Sequence, residues 1–201
     1  MLNSQRGTVN VIETERLLLE PLDVSRLEEF VALTADADTM RYWWPRGAFS
    51  RDMAERNFAA SLARRREHGF GRRWIVEKES GVGLGFTETK YFREGFDDVS
   101  PDEVEIGWML APAVWGHGYA TESSAAICDE AFVRLELESI VAEHHPANLA
   151  SGRVMEKLGM EFERDVVDRN GWPARLYRLT RESWSSSCRA AERSSGPRRT
   201  E

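Results

Sequence analysis

The run Pro112-Ala113-Val114-Trp115-Gly116-His117-Gly118-Tyr119-Ala120-Thr121-Glu122 has the residue types and spacing of an anion cradle. It follows an apolar, strand-like run, Val104 to Leu110, and opens an amphipathic stretch. Two glycines one residue apart let successive backbone N–H groups turn toward one point with no Cβ in the way. The same N–H groups open a helix, where the first turn has no internal acceptors and the macrodipole is positive. Such a loop holds a phosphate without needing a basic side chain. Two familiar phosphate loops fit badly. A P-loop ends in Gly-Lys-Ser/Thr, and Tyr119 follows Gly118. A dinucleotide fingerprint wants a third glycine where Thr121 stands, and it opens a βαβ unit early in a domain. An ordinary turn remains the bland alternative for a lone Gly-x-Gly.

Other residues could do proton chemistry around such a loop. Glu105 lies inside the apolar strand that precedes it. A carboxylate in a buried strand is costly unless it has a task or a partner, so it is a candidate base or a structural ion pair with an arginine. His144 and His145 end a later strand. Asn148 suits a helix N-cap, with Ser151 in the first turn behind it. Tyr42, Trp43 and Trp44 stand together in a loop, and three adjacent aromatics are not all expected in a core. At least one should be free to stack on a ligand or contact an amine through its ring. Trp172, in a later hairpin turn, could close the other side. No Cys/His/Asp cluster has metal-ligand spacing, so no metal is expected.

The elements that must carry these residues follow from periodicity. Val11-Ile12 and Arg16 to Leu19 read as a strand pair stopped by Pro21. Asp23 or Ser25 can cap a helix to about Ala35, with Leu27, Phe30 and Val31 on one face. Ser50 can cap a second, to about His68, with Ala54, Phe58 and Leu62 facing inward and Gly69 and Gly71 ending it. Arg73–Lys78 and Val82–Lys90 form a hairpin over Ser80-Gly81. After the strand Val104–Leu110 and the glycine loop comes a helix from Ala120 to about Leu135, burying Ile127, Ala131 and Leu135. A strand Ser139–Glu143, a short helix from Asn148 to Leu158-Gly159, and a last hairpin (Met160–Val167, Arg175–Thr180) around Asn170-Gly171 complete the chain. The order β-αα-βββ-α-β-α-ββ predicts a mixed α/β sheet flanked by about four helices.

Composition narrows the field. With 201 residues, 41% of them hydrophobic and 30% charged, one soluble domain with a substantial core is expected. The net charge of −7 speaks against a nucleic-acid partner. Cys128 sits in a helix and Cys188 in the tail, so a disulfide is not expected and a reducing cytoplasm fits. No apolar leader opens the chain and no apolar run approaches 18 residues, so neither a signal peptide nor a membrane span is expected. Residues 185–201 are polar, basic and poor in large apolar side chains, which predicts a disordered tail beyond a folded domain of about 8–184.

Taken together, these segments resemble the GNAT superfamily of N-acetyltransferases, and more narrowly the branch of ribosomal-protein N-terminal (alanine) acetyltransferases. The resemblance rests on Glu13-Thr14-Glu15-Arg16-Leu17-Leu18-Leu19 with Pro21-Leu22, on Glu105-Ile106-Gly107-Trp108, on Trp115 to Glu122, on Asn148-Leu149-Ala150-Ser151 and on Lys157-Leu158-Gly159-Met160. It extends from about Val11 to Trp184. One departure is Ala113, where the superfamily often has Gln or Arg three residues before the first glycine.

The resemblance implies a mostly antiparallel central sheet and acetyl-CoA as cosubstrate. Its diphosphate would sit on the N–H groups of Gly116, His117, Gly118, Tyr119 and Ala120, with Thr121 beside them. The pantetheine arm would run along the backbone of Met109 and Leu110, whose groups polarise the acetyl carbonyl. Asn148 would bond the pantetheine amide, and Ser151 would give the leaving thiolate its proton. Glu105 would take the acceptor's proton directly or through water, and Tyr42, Trp43, Trp44, Glu105 and His144 would face the acceptor. The branch favours an N-terminal α-amine as acceptor. A small amine (polyamine, amino acid or aminoglycoside) stays open, as do a homodimer and a non-catalytic module that only binds acyl-CoA. The overall acidity would favour a cationic acceptor.

Overall fold

The computed structural model describes residues 11–43, 47–92, 100, 102–167 and 171–186. Trp44, Cys188, Asn170 and nearly all of the basic tail lie outside the described residues. The chain divides into two compact units. One comprises the chain to Lys90 with Ile106–Ile127, and the other Tyr91–Glu105 with the chain from Cys128 onward.

In the first unit, β1 (Ile12–Glu13), β2 (Leu17–Pro21), β3 (Arg73–Glu77) and β4 (Gly83–Tyr91) succeed one another in a sheet that continues into β5 (Val104–Leu110). The β1–β4 pairings are antiparallel. Pro21 fits the last position of β2, opposite Arg73. The β3–β4 register slips between Ile75 and Val76, which oppose Gly85 and Gly83. Gly85 has φ +141°, and a Cβ there would lie 2.1 Å from the Met109 carbonyl oxygen. Only glycine lets the backbones approach so closely.

Two helices cover this sheet. Asp23 caps a short 3₁₀ turn that leads into α1 (Leu27–Ala35). Ser50 Oγ accepts from Met53 N–H to start α2 (Arg51–His68), and Gly69 ends it in the left-handed region at φ +76°. Phe30, Ala54, Phe58, Met40, Trp74, Phe86 and Met109 form the core between helices and strands. Each large apolar side chain buried there stabilises by about 1.5–3 kcal/mol before entropy is counted. Leu62 is half-buried, whereas its neighbour Ser61 is buried. α3 (Tyr119–Asp129) belongs to this unit through Ile127.

The second unit begins where Glu105 of β5 pairs in parallel with Val141 of β6 (Ser139–His144). β6 pairs antiparallel with β8 (Pro173–Thr180), which pairs antiparallel with β7 (Glu161–Val167). Val141, Val166, Ala174, Leu176 and Phe92 form its core. Asn148 caps α4 (Leu149–Lys157), and α5 spans 181–186. The sequence predicts an α-helix running on to Leu135. Instead, Glu130–Arg134 form a single π turn. The wider turn rotates the side chains along it out of α-helical phase: Phe132 is buried and Leu135 only half-buried.

Candidate active site

The glycine loop is built by its neighbours in the first unit. A 3₁₀ turn at Pro112–Val114 leads out of β5, and the Trp115 indole N–H donates to the Leu110 carbonyl at 2.7 Å. Gly116 and Gly118 both adopt positive φ, +80° and +85°. Side chains rarely reach that region, so these positions need glycine. The backbone bond from Glu122 N–H to the Gly118 carbonyl, 3.0 Å, closes the opening turn of α3. Helix geometry leaves the N–H groups before Glu122 without intrahelical acceptors. They are the ones an anion would use.

Arg16 is the cation beside this loop, and sequence reasoning gave it no role. Its Nη1 donates to the His117 carbonyl at 3.0 Å, and its Nη2 lies 3.4 Å from where a Cβ on Gly118 would be. Glu122 holds it there, accepting from Arg16 Nε at 2.7 Å, from Arg16 N–H at 2.8 Å and from Thr14 Oγ1 at 2.6 Å. Burial would raise the Glu122 carboxyl, but these donors and the Arg16 charge outweigh it and keep it below its ordinary range. The Tyr119 ring lies under the Arg16 guanidinium, 4.5 Å from its carbon, and the Tyr119 hydroxyl donates to Glu77. The His117 side chain is exposed, with Nδ1 2.9 Å from the Trp115 carbonyl. No sequence spacing announces the Arg16–Glu122 pair, because its members are 106 residues apart.

Strand alternation separates the two backbone candidates on β5. The Met109 carbonyl faces Gly85, and Ala111 N–H donates to the Leu84 carbonyl at 2.9 Å. N–H and C=O of one strand residue point the same way. Both Met109 groups therefore turn toward β4. Leu110, and Trp108 two residues before it, point their backbone groups away from β4. Of the predicted pair, Leu110 is thus the one whose backbone groups turn away from β4, as do those of Trp108.

A second cluster in this unit also escaped the sequence. The Arg72 guanidinium donates through Nε (2.9 Å) and Nη2 (2.7 Å) to Glu88 Oε2, and through Nη1 (2.9 Å) to Asn57. It stacks on Phe86 at 4.1 Å. The side chains are only 2% and 6% exposed. Burial would raise the Glu88 carboxyl, but the charges of Arg72 and Lys90 overcome it and bring it down to about 2. Glu88 Cγ lies 3.7 Å from where a Cβ on Gly107 would be. Tyr42 and Trp43 are both half-buried, and Trp43 packs against the core of this unit.

In the second unit, Glu105 is buried, as expected of its strand position. Asn148 and Ser151 are brought together. Ser151 N–H donates to Asn148 Oδ1 at 3.3 Å, and Asn148 Nδ2 donates to Ser151 Oγ at 3.0 Å. Because Ser151 Oγ accepts here, its own proton stays available to another acceptor. Asn148 is thus the N-cap that the sequence predicts.

His144 is buried. Its Nδ1 is 2.8 Å from the His145 carbonyl, and its ring packs on Gly152, where a Cβ would lie 3.1 Å from Nε2. Nε2 has no hydrogen-bond partner, and burial lowers the ring's pKa. His145 stacks on Trp172 at 4.5 Å, and its Nδ1 accepts from Ala147 N–H at 3.1 Å. Among the described residues, no three His, Cys, Asp or Glu side chains are placed to hold a metal ion, and no helix is long and apolar enough to cross a membrane.

Comparison with known proteins identifies the family. The family model described as "Acetyltransferase (GNAT) domain" matches residues 16–161. The chain is 27% identical over 180 residues to the uncharacterized N-acetyltransferase YnaD of Bacillus subtilis, covering 87% of this chain and 99% of that one. It is 27% identical over 187 residues to the FsC-acetyl coenzyme A-N(2)-transacetylase of Aspergillus fumigatus, covering 86% and 77%. A GNAT-family acetyltransferase structure from Bacillus anthracis superposes with a TM-score of 0.71 at 27% identity, covering 86% and 99%. The chain belongs to the GNAT acetyltransferase family.

Proposed function

We propose, from the premise that this is a GNAT acetyltransferase, that the chain moves an acetyl group from acetyl-CoA directly to a primary amine. The observation that carries this reading is the loop Gly116–Gly118. Its two positive-φ glycines open α3, and Arg16 is bonded to the loop's own carbonyl. A helix N-terminus favours an anion by about 0.3–1 kcal/mol when exposed. Converging charge-assisted hydrogen bonds add to that. A diphosphate is the ligand such a loop suits. The Aspergillus relative, whose name includes acetyl coenzyme A, supports the same donor.

In the proposed reaction the neutral amine nitrogen attacks the thioester carbonyl carbon. The oxygen that becomes negative is stabilised by a strand N–H, with Leu110 the candidate. The C–S bond then breaks, leaving CoA as thiolate, and the amine gives up a proton. At pH 7 a lysine amine of pKa ~10.4 costs about 4.6 kcal/mol to deprotonate, whereas an α-amine near 8 costs about 1.4 kcal/mol. An α-amine therefore asks little of its base, for which Glu105 is the candidate, directly or through water. Protonating the thiolate is worth at most about 2 kcal/mol at pH 7. Ser151 is the candidate donor, since its hydroxyl accepts from Asn148 and keeps its proton to give. The favoured acceptor is a protein or peptide N-terminus, as in the ribosomal-protein branch.

The test is thiol release from acetyl-CoA, read with a colorimetric thiol reagent against N-terminal peptides, amino acids, polyamines and aminoglycosides. Acceptor-dependent release is expected, with peptides beginning in Ala or Ser turning over fastest. Glu105→Gln and Ser151→Ala should lower kcat. Tight acetyl-CoA binding with no release on any acceptor would replace this reading with a non-catalytic acyl-CoA-binding module.

A further inference from the structure

The two glycines that let the loop at 116–118 form do not by themselves fix its orientation. A trans peptide carries its C=O and its N–H on opposite sides. The Gly118 N–H therefore points away from the side on which the His117 carbonyl lies. Turning that one peptide over would exchange the two groups and change the sign of φ at position 118. A glycine accepts either sign at little cost. Gly118 stands at φ +85° and Gly116 at φ +80°, and a Cβ on Gly116 would meet nothing within 4 Å. The loop's own residues thus allow both orientations, only one of which offers the Gly118 N–H to an anion.

Arg16, in the turn between β1 and β2, supplies the choice. Its Nη1 donates to the His117 carbonyl at 3.0 Å, from the side opposite the Gly118 N–H. Turned over, the peptide would set its N–H against the guanidinium, donor facing donor. The guanidinium is itself held still. Nε donates to Glu122 Oε2 at 2.7 Å, while Arg16 N–H and Thr14 Oγ1 donate to Glu122 Oε1 at 2.8 Å and 2.6 Å. The Tyr119 ring lies 4.5 Å from the guanidinium carbon, and the Tyr119 hydroxyl donates to Glu77. Glu122 belongs to the opening turn of α3, so the helix that follows the loop also carries the anchor of Arg16. A peptide bonded at its oxygen becomes a stronger donor at its N–H, because hydrogen bonds in a chain polarise one another.

We propose that Arg16 is a positioning residue for the acetyl donor: it locks the His117–Gly118 peptide with its N–H toward the diphosphate and strengthens that N–H from behind. Arg16 acts through the peptide and not by touching the ligand. The inference rests on the acetyl-CoA reading above. Because the lock serves a phosphate contact, it concerns only donors that carry the diphosphate.

The experiment titrates the full chain, Arg16→Ala and Arg16→Lys by calorimetry with two ligands. One is acetyl-CoA, and the other is S-acetylpantetheine, which has the same thioester and no phosphate. A second arm follows the Gly118 amide of the ligand-free protein by ¹⁵N relaxation dispersion, which reports μs–ms exchange. Arg16→Ala should weaken acetyl-CoA about tenfold, the scale of one hydrogen bond to a charged group. It should leave S-acetylpantetheine within twofold, and exchange should appear at the Gly118 amide. Arg16→Lys keeps the charge but not the planar fork that joins Glu122 to the carbonyl, so it should recover only part of the affinity. If Arg16→Ala does not fold, Arg16→Lys carries the same comparison with smaller shifts. An acetyl-CoA affinity within twofold of wild type, an equal loss for both ligands, full recovery in Arg16→Lys, or a Gly118 amide as quiet as in wild type overturns the inference. If wild type binds no acetyl-CoA, the donor reading fails. The amide then decides alone: exchange that appears only without Arg16 supports the lock, and its absence refutes it.

Discussion

Replacing Glu88 by glutamine keeps the shape of the side chain and removes its charge. In the native chain the Glu88 carboxyl sits at about 2 against an ordinary 4.5. The difference, 4.5 − 2, is 2.5 units, and at 1.36 kcal/mol per unit the ionised form contributes roughly 3 kcal/mol. The folded pKa is depressed, so the unfolded chain binds this proton first as pH falls. The contribution is therefore whole above about pH 5 and is lost as pH drops from about 4.5 toward 2. At pH 7, Glu88→Gln leaves the Arg72 guanidinium buried without its counter-charge, a loss of about 3–5 kcal/mol. Other carboxylates, among them Asp23, Asp36, Glu77 and Glu122, are also held low and also weaken the protein in acid. The gap between wild type and variant is thus the informative quantity. Urea unfolding followed by tryptophan fluorescence at pH 7, 5, 4 and 3 measures it. The gap should shrink with acid, by at most about 1.4 kcal/mol per pH unit below pH 4.5. A gap that is the same at pH 7 and pH 3, or one below about 1 kcal/mol at pH 7, would refute the reasoning.

The glycine loop and the buried histidine each give a further expected outcome. Gly118→Ala forces a side chain into φ +85° and sets its Cβ 3.4 Å from Arg16 Nη2, a strain of about 1–2 kcal/mol. Equilibrium binding should show acetyl-CoA affinity falling about tenfold or more, and an unchanged Kd would remove the loop from the donor site. The lowered pKa of His144 predicts that stability declines as pH falls below about 6.5, since the unfolded imidazole protonates first. His144→Gln should flatten the unfolding free energy between pH 7.5 and 5.5, and a curve parallel to wild type would refute this account of the buried ring.

What the sequence made legible was local. Ser50, Gly69, Asn148 and the Gly116–Gly118 pair each act through neighbours within a few residues, and each takes its expected backbone role. The π turn at Glu130–Arg134 was not legible, because its hydrophobic spacing suits an ordinary helix as well. The cluster of Arg72, Glu88 and Asn57 was hidden for another reason. It exists only once α2 lies over the β3–β4 hairpin, and nothing in its spacing announces that packing. A histidine at a strand end reads alike whether it is exposed or buried. The structure buries His144, with its ring against Gly152, eight residues on. In the same way, the sequence could not say which backbone groups of β5 meet β4, an edge that Gly85 against the Met109 carbonyl fixes.

Gly85 also has a mechanical consequence. The Met109 carbonyl oxygen stands 2.1 Å from where a side chain at position 85 would begin, and the Leu110 Cα 2.8 Å from it. Even alanine there would have to push β4 and β5 apart or bend one of them. The strand that is proposed to hold the acetyl group is thus kept in place along a seam that admits no side chain at this level.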